Sequence, residues 1–187
     1  MAEHPVVSLD EAEDATLADR AADGDMRSFE VLVRRYGPLM RATATRILGG
    51  SAESDDVVQD AFVVAWQQLD RLDDGAAVRG WIMRIVSNKS VDRLRARREH
   101  ADIDDHDPVA PVEHSPDRVA ETRSQEEALS SALSELPEPQ RQCWVLKEIA
   151  GYSYEEIAEQ LDLPTSTVRG LLARARKALT REMEAWR

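Results

Sequence analysis

Apolar residues recur at helical spacing along most of the chain, and no segment shows the apolar/polar alternation of an exposed strand. The helical pattern covers residues 17–48, resumes over 51–69, and continues through 81–98 and 128–179. Paired glycines at positions 49 and 50 end the first segment with a flexible turn. The pattern predicts an all-α fold of several amphipathic helices.

Two short helices joined by a tight turn are predicted over residues 151–179. Ser153 followed by Glu156 matches a capping box, so one helix starts there, and Pro164 separates it from the next. The second helix has a stripe that contains Val168 and Leu172. This is the pattern of a helix-turn-helix, which lays its second helix in a DNA major groove. A plain helical hairpin would show the same spacing.

The distribution of charge favours DNA binding over a plain hairpin. The net charge is −12, which by itself argues against nucleic acid. However, residues 79–98 contain seven Lys or Arg against the single acid Asp92, and residues 168–181 contain five and no acid. Two concentrated basic segments can hold phosphates while the acidic remainder limits nonspecific binding.

The helix predicted over residues 51–69 has one apolar and one polar face. Its buried stripe contains Val58, Ala61, Ala65 and Leu69, and it is extended by Phe62 and Trp66. On the other side, Asp56, Gln59 and Asp60 face outward. Taken alone, this polar row indicates a solvated helix face.

A loop of small residues over 73–80 leads into a segment suited to unstacked bases. Trp81 follows the loop, Asn88 looks like a buried amide, and a basic helix is predicted over residues 91–98. Aromatic rings and guanidinium groups stack on bases, and an amide can read a base edge. Alternatively, the arginines of a helix end extend into water.

Two segments lack helical periodicity. Residues 1–15 are acidic, which predicts a disordered arm. Residues 99–127 contain ten acids against Arg118 and Arg123, which predicts a flexible linker. We therefore expect an arm over 1–15, a first domain over 16–98, a linker over 99–124 and a second domain over 125–187.

The sequence also predicts that several kinds of site and activity are absent. The linker acids and His106 fit no EF-hand spacing, so we expect no metal site. No set of residues suggests catalysis, so we expect neither an enzyme nor a cofactor. The lone Cys143, the absence of a signal peptide and the absence of a long apolar run predict a soluble, cytoplasmic protein without membrane insertion.

Three stretches, in order, resemble the extracytoplasmic-function (group IV) sigma factors of bacteria. SDDVVQDAFVVAW resembles the helix that binds core RNA polymerase. VRGWIMRIVSNKSVDRLRARR resembles the segment that melts and reads the −10 promoter element. The stretch from LPEPQRQCWVLKEIAGYSYEEI to LARARKAL resembles the domain that binds the −35 element.

The resemblance implies partners and residue roles. The partners are core RNA polymerase, through the β′ clamp helices and the β subunit, promoter DNA, and an anti-sigma factor. Asp56, Gln59 and Asp60 match positions that bind the clamp helices, and residues 73–80 match a variable specificity loop. Asn88 matches the residue that lines the pocket for a flipped −10 base. The implied −10 contacts are Trp81, Asn88, Lys89, Arg93, Arg95, Arg97 and Arg98, and the implied −35 contacts are Ser166, Thr167, Arg169, Arg174 and Arg176.

One departure from the family lies in the recognition helix, where Gly170 and Leu171 replace the usual Ser and Arg. If Leu171 widens the apolar stripe, it packs inward and a DNA contact is lost, so we expect −35 binding by the isolated domain to be weak. If it points outward, Leu171→Arg together with Gly170→Ser should strengthen binding to the −35 element.

Two other functions stay open, an autonomous helix-turn-helix regulator and a sigma mimic that titrates an anti-sigma factor.

Overall fold

The structure is a computed structural model that describes residues 8–50, 52–103 and 125–184. Across these ranges the chain forms eight α-helices, three short 3-10 turns and no strand, which confirms the predicted all-α fold. The helices are α1 (Asp14–Ala22), α2 (Met26–Leu48), α3 (Ser54–Gln68), α4 (Val78–Ile103), α5 (Gln125–Ser134), α6 (Glu138–Glu148), α7 (Tyr154–Leu161) and α8 (Thr165–Glu184). The 3-10 turns are Leu9–Glu11, Leu69–Arg71 and Gly75–Ala77.

Helices α1–α4 pack around the apolar stripes that the sequence predicts. The predicted stripe of α3 is confirmed, because Val58, Ala61, Ala65 and the following Leu69 are all buried. Helix α2 continues through Pro38 and ends at Gly49, whose φ of 77° is the left-handed conformation that glycine adopts without strain. The fully buried side chains of this domain include Leu17, Leu32, Met40, Ile47, Val57, Leu69, Val78 and Ile82.

The N-terminal segment corrects the predicted disordered arm for residues 8–15. A 3-10 turn and the start of α1 lie in this range, and Leu9 packs against the core. Asp10 pairs with Arg34 at 2.5 Å, and Asp14 accepts hydrogen bonds from Arg35 and Tyr36. Two of the acids that suggested disorder, Asp10 and Asp14, are therefore paired with side chains of α2. Residues 1–7 lie outside the described part of the chain.

Helix α4 is longer than the sequence suggests at both ends. The loop predicted over residues 73–80 is only partly a loop, since a 3-10 turn occupies Gly75–Ala77 and α4 starts at Val78. The helix then continues without interruption to Ile103, five residues past the predicted boundary at Arg98. Ser87 and Ser90 lie inside this helix. Both are buried, and their hydroxyls donate to carbonyls four residues earlier, so the helix itself satisfies them. Residues 104–124 of the predicted linker lie outside the described ranges.

Helices α5–α8 form the second domain and contain the predicted helix-turn-helix. The capping box is confirmed, with Ser153 and Glu156 each bonding the other's backbone N–H. Helix α7 ends at Asp162 in the left-handed conformation, with φ of 53°, and α8 begins three residues later. Cys143 is buried as expected, and burial raises the pKa of its thiol to about 11.

The two domains pack directly against each other. Helix α2 contacts α5 and α6, and α4 contacts α7. One continuous apolar cluster joins residues of the first domain, such as Ile82 and Val86, to residues of the second, such as Val145 and Ile157. The sequence predicts a tether between two separate domains and gives no sign of this contact.

Leu171 points into the second domain. Its side chain is 9% exposed, next to the buried Leu172. The structure therefore favours the inward alternative for this departure from the family. Gly170 is half-buried, and a Cβ there would meet only the guanidinium of Arg174, at 3.6 Å.

Leu171→Arg should destabilise the protein, because it places a charge among apolar groups. We expect the free energy of unfolding to fall by more than about 1 kcal/mol, measured by urea unfolding. Gly170→Ser is the matched control, since that position has room and serine is the better helix former, so its effect should stay within about 0.5 kcal/mol. Equal stabilities of the two variants would show that Leu171 points outward.

Candidate nucleic-acid interface

The outward face of α3 carries the predicted polar row. Asp56, Gln59 and Asp60 are exposed, while Val57 and Val58 between them are buried. Asp60 lies 4.0 Å from Arg93 of α4, and the neighbouring Asp55 pairs with Arg41 at 2.9 Å. The row is therefore accessible and negatively charged, and Asp56 has no ion pair with another residue of the described ranges.

An apolar depression of about 620 Å³ lies beside this row and was not predicted. We call it the α2–α3 groove. Its residues include Met26 and Val63, which are 52% and 50% exposed, together with Phe62, Trp66 and Gln59. Phe62 and Trp66 extend the buried stripe only in part, since both are half-buried and stand against the ring of Phe29. Large exposed apolar side chains beside a polar row are typical of protein-binding surfaces.

Trp81, Arg84 and Asn88 fall on one face of α4, because positions i, i+3 and i+7 of a helix share a side. Trp81 is half-buried against the core, and Lys89 is half-buried as well. Asn88 differs from the prediction of a buried amide, since its residue is exposed. Its Oδ1 atom instead accepts a hydrogen bond from the hydroxyl of Tyr152 in the second domain, at 2.5 Å.

Tyr152 and Glu156 bind the same face of α4, and we call Arg84, Asn88, Tyr152 and Glu156 the interdomain cluster. Arg84 donates two hydrogen bonds to the Glu156 carboxylate, at 2.7 and 3.3 Å, and its guanidinium lies 4.8 Å from the centre of the Tyr152 ring. The Arg84 guanidinium, and after it the backbone N–H of Ser153, lower the pKa of Glu156 to about 2. Burial raises the pKa of Tyr152 to about 12, so its hydroxyl remains a donor.

The predicted arginines of α4 all find partners within the chain. Arg93 lies near Glu53 and Asp60, Arg97 pairs with Glu53, and Arg98 pairs with Glu138 of the second domain. Arg95 lies 3.5 Å from Asp92 and donates to the backbone carbonyl of Gln160 at 2.9 Å. Arg93 and Arg97 are therefore paired within the first domain, whereas Arg95 and Arg98 also contact the second domain in this closed arrangement.

The recognition helix α8 exposes the predicted −35 contacts. Ser166, Thr167, Arg169 and Arg174 are exposed, while Val168 between them is buried. Arg169 lies 5.7 Å from the centre of the Tyr154 ring. Arg176 is exposed and bonded to Glu148 at 2.7 Å. Most of this basic face is therefore open to solvent.

Sequence reasoning missed Tyr152, Glu156 and the partner role of Arg84. Glu156 already had a role in the capping box, and Tyr152 precedes α7 without a motif of its own. Only the docking of the two domains brings these residues to Asn88, so no local signal identifies them.

The residues that the structure describes contain no cluster of metal ligands and no helix long and apolar enough to cross a membrane. Asp104, Asp105, His106 and Asp107 lie outside those residues.

Comparisons with known proteins match both domains. A family model for sigma-70 region 2 matches residues 32–100, and one for sigma-70 region 4 matches residues 126–179. The RNA polymerase sigma-H factor of Pseudomonas aeruginosa is 30% identical over 94% of this chain and 96% of its own length. The RNA polymerase sigma factor CnrH of Cupriavidus metallidurans is 36% identical over 92% of this chain and 95% of its own.

Solved structures show the same architecture. CnrH in complex with the cytosolic domain of CnrY superposes with a TM-score of 0.52 at 34% identity, covering 92% of this chain and 97% of that one. RpoE of Bartonella quintana, solved with the anti-sigma factor NepR, gives 0.62 at 23% identity, covering 87% and 100%. The second likeness supports the fold alone.

The interdomain cluster predicts a specific pH dependence. The pKa of Glu156 in the folded protein lies below its ordinary value of 4.5, so its ion pair stabilises fully above that pH and is lost as pH falls towards 2. Glu156→Gln keeps an acceptor for the Ser153 N–H but removes the charge. We expect it to lower the free energy of unfolding near neutral pH, with the difference from wild type shrinking below pH 4.5, measured by urea unfolding across that range.

Glu155→Gln is the matched control, because Glu155 is an exposed acid in the same first turn of α7. It makes the same change near the helix dipole without touching Arg84. Identical pH profiles for the two variants would show that the Arg84–Glu156 pair does not stabilise the closed arrangement.

Proposed function

Because the chain belongs to the extracytoplasmic-function family of RNA polymerase sigma factors, we propose that it binds core polymerase and directs initiation at promoters whose −10 and −35 elements it reads. Nucleotide addition would be carried out by the polymerase, and this chain would contribute selectivity. An anti-sigma factor would control it.

The exposed row on α3 carries this proposal. Asp56 and Gln59 stand on a rigid helix beside the α2–α3 groove, where Met26 and Val63 offer apolar area. An acidic row next to an exposed apolar patch supports binding of a basic and apolar protein surface, here the β′ clamp helices. A regulator that binds DNA alone would have no use for such a surface.

DNA contacts would be divided between α4 and α8. On α4, Asn88 would read a −10 base, Trp81 would support an unstacked base, and Arg93, Arg95, Arg97 and Arg98 would hold the backbone with Lys89. On α8, Ser166, Thr167, Arg169, Arg174 and Arg176 would contact the −35 element. Since Leu171 is buried and offers no contact there, specificity would rest mainly on the −10 half.

The closed arrangement would hold the free protein inactive. The hydroxyl of Tyr152 occupies Asn88 Oδ1, and α4 arginines are paired with acids of the chain, so promoter DNA would have to replace these contacts. Polymerase binding would separate the domains and expose α4. The complex of CnrH with the cytosolic domain of CnrY favours a protein partner for this chain as well.

Transcription by purified core polymerase tests the proposal. The wild-type chain should start transcripts at a cognate promoter, and Asp56→Arg should weaken polymerase binding by at least about tenfold, because like charges at a matched interface cost more than 1.4 kcal/mol. Binding is measured by titration of labelled protein with core enzyme.

Asp70→Arg is the control, since Asp70 is an exposed acid of the same domain outside the α3 row. DNA binding without any effect of core enzyme would support the autonomous regulator instead. Capture of an anti-sigma factor with no transcription would support the sigma mimic. Equal core binding by the two charge reversals would remove the role assigned to Asp56.

Tyr152→Phe should raise the affinity of the free protein for −10 DNA. The change removes the hydroxyl that bonds Asn88 and keeps the ring under Arg84, so the amide is released. We expect an increase of about two- to tenfold, the value of one hydrogen bond of about 0.5–1.5 kcal/mol. The measurement is fluorescence anisotropy with single-stranded −10 DNA at low salt. Tyr36→Phe, which removes a hydroxyl bonded to Asp14, is the control and should change nothing, and an unchanged affinity for Tyr152→Phe would refute inhibition by the interdomain cluster.

A further inference from the structure

A second contact between the domains borders a partly open cavity of about 300 Å³. Thr45, Arg46 and Gly49 line it from the C-terminal end of α2, and Ser130, Ser131 and Arg141 line it from α5 and α6. It lies away from the interdomain cluster and contains none of the residues assigned to polymerase or DNA. None of its lining residues within the described ranges is acidic.

Arg141 is the central group of this cavity. Its residue is only 8% exposed, and its Nη1 atom donates to the Leu136 carbonyl at 3.2 Å. The other end of the guanidinium lies against Gly49, so closely that a Cβ there would come within 2.6 Å of Nη2. Its Nε–H is buried and finds no acceptor among the described residues, and the same is true of the Nε–H of Arg46.

The two buried Nε–H groups show that the described chain does not pair these guanidinium groups completely. A buried donor without an acceptor costs free energy, and a buried charge without a partner costs more. Burial lowers the pKa of Arg141, although a guanidinium keeps its proton in proteins. Glu138 is the acid that acts on Arg141 through its charge, but its carboxylate is bonded to Arg98 and Gln142. The described residues that line the cavity therefore bring together two guanidinium groups and no acid.

We propose that this cavity binds a small phosphate-type oxyanion, with Arg46 and Arg141 as its charged ligands and serine and threonine hydroxyls as further donors. Guanidinium groups match phosphate oxygens in geometry and charge. The volume accommodates free phosphate and leaves room for the small organic part of a phosphate monoester. Walls from both domains exclude duplex DNA, whose backbone could not enter a cavity of this size.

The anion would bridge the domains. Its ligands come from α2 on one side and from α5 and α6 on the other, so the site is complete only in the closed arrangement. A ligand that binds one of two conformations shifts the population towards it. Phosphate would therefore stabilise the closed form. Binding itself is independent of the proposed function, whereas its effect on promoter access rests on it.

Calorimetric titration of the full chain with inorganic phosphate, at constant ionic strength set by sodium chloride, tests the site. We expect saturable binding of one phosphate per chain. Arg46→Gln should weaken it about 10- to 100-fold, the value of a charged hydrogen bond, and Arg46→Lys should weaken it less. Arg71→Gln is the matched control, because Arg71 is exposed and does not line the cavity, and it should bind like the wild type.

A folding control, a second variant and a second ligand distinguish the possible outcomes of this titration. Circular dichroism confirms that each variant is folded, and Ser131→Ala, at an exposed lining position, gives a second variant that leaves the charge unchanged. Tighter binding of a nucleoside monophosphate than of inorganic phosphate would identify the ligand as a monoester, and the reverse order would identify the free anion. The absence of saturable binding, or equal affinities for Arg46→Gln and Arg71→Gln, would overturn the proposal.

Discussion

Helix α4 runs uninterrupted from Val78 to Ile103, and the hydroxyls of its buried Ser87 and Ser90 bond to carbonyls of the same helix, so both side chains lie in the core without an unpaired donor. At 1.5 Å per residue it forms a rod of roughly 39 Å, which keeps its faces in fixed register. One side fills the core of the first domain, and Arg93 and Arg97 extend from α4 towards Glu53 of that domain. Arg84, Asn88, Arg95 and Arg98 contact the second domain. The assignments to DNA and to the closed arrangement both depend on this rigidity.

The closed arrangement combines apolar packing with several weak polar contacts. Most of its ion pairs are partly exposed, and such pairs contribute about 0–1 kcal/mol each. A contact of this kind is specific in geometry but can be opened by a partner that offers better surfaces. That balance suits the proposed change between a closed and an open arrangement of the two domains.

Local patterns predicted much of this molecule. The stripe of α3, the capping box at Ser153 and the outward row Asp56, Gln59 and Asp60 follow from helical periodicity, which depends on neighbours within four residues. The ordered N-terminal segment, the hydrogen bond between Tyr152 and Asn88, and the cavity around Arg141 join residues far apart in the chain. Such contacts depend on how the helices dock, which periodicity does not encode. Leu171 combines both kinds of information. Its spacing in the helix allowed either an inward or an outward side chain, and only the packing of the domain shows that it points inward.

Gly49 meets two unrelated structural requirements, one of its own backbone and one of a side chain in the other domain. Its left-handed backbone ends α2, and the missing side chain leaves space for the Arg141 guanidinium from the other domain. Asparagine, which tolerates such a backbone, would satisfy the first requirement and violate the second. In a relative that carries asparagine at position 49, the arginine of the other domain should therefore be displaced or replaced. The identity of residue 49 thus serves as a sequence marker for the geometry of a site almost a hundred residues away.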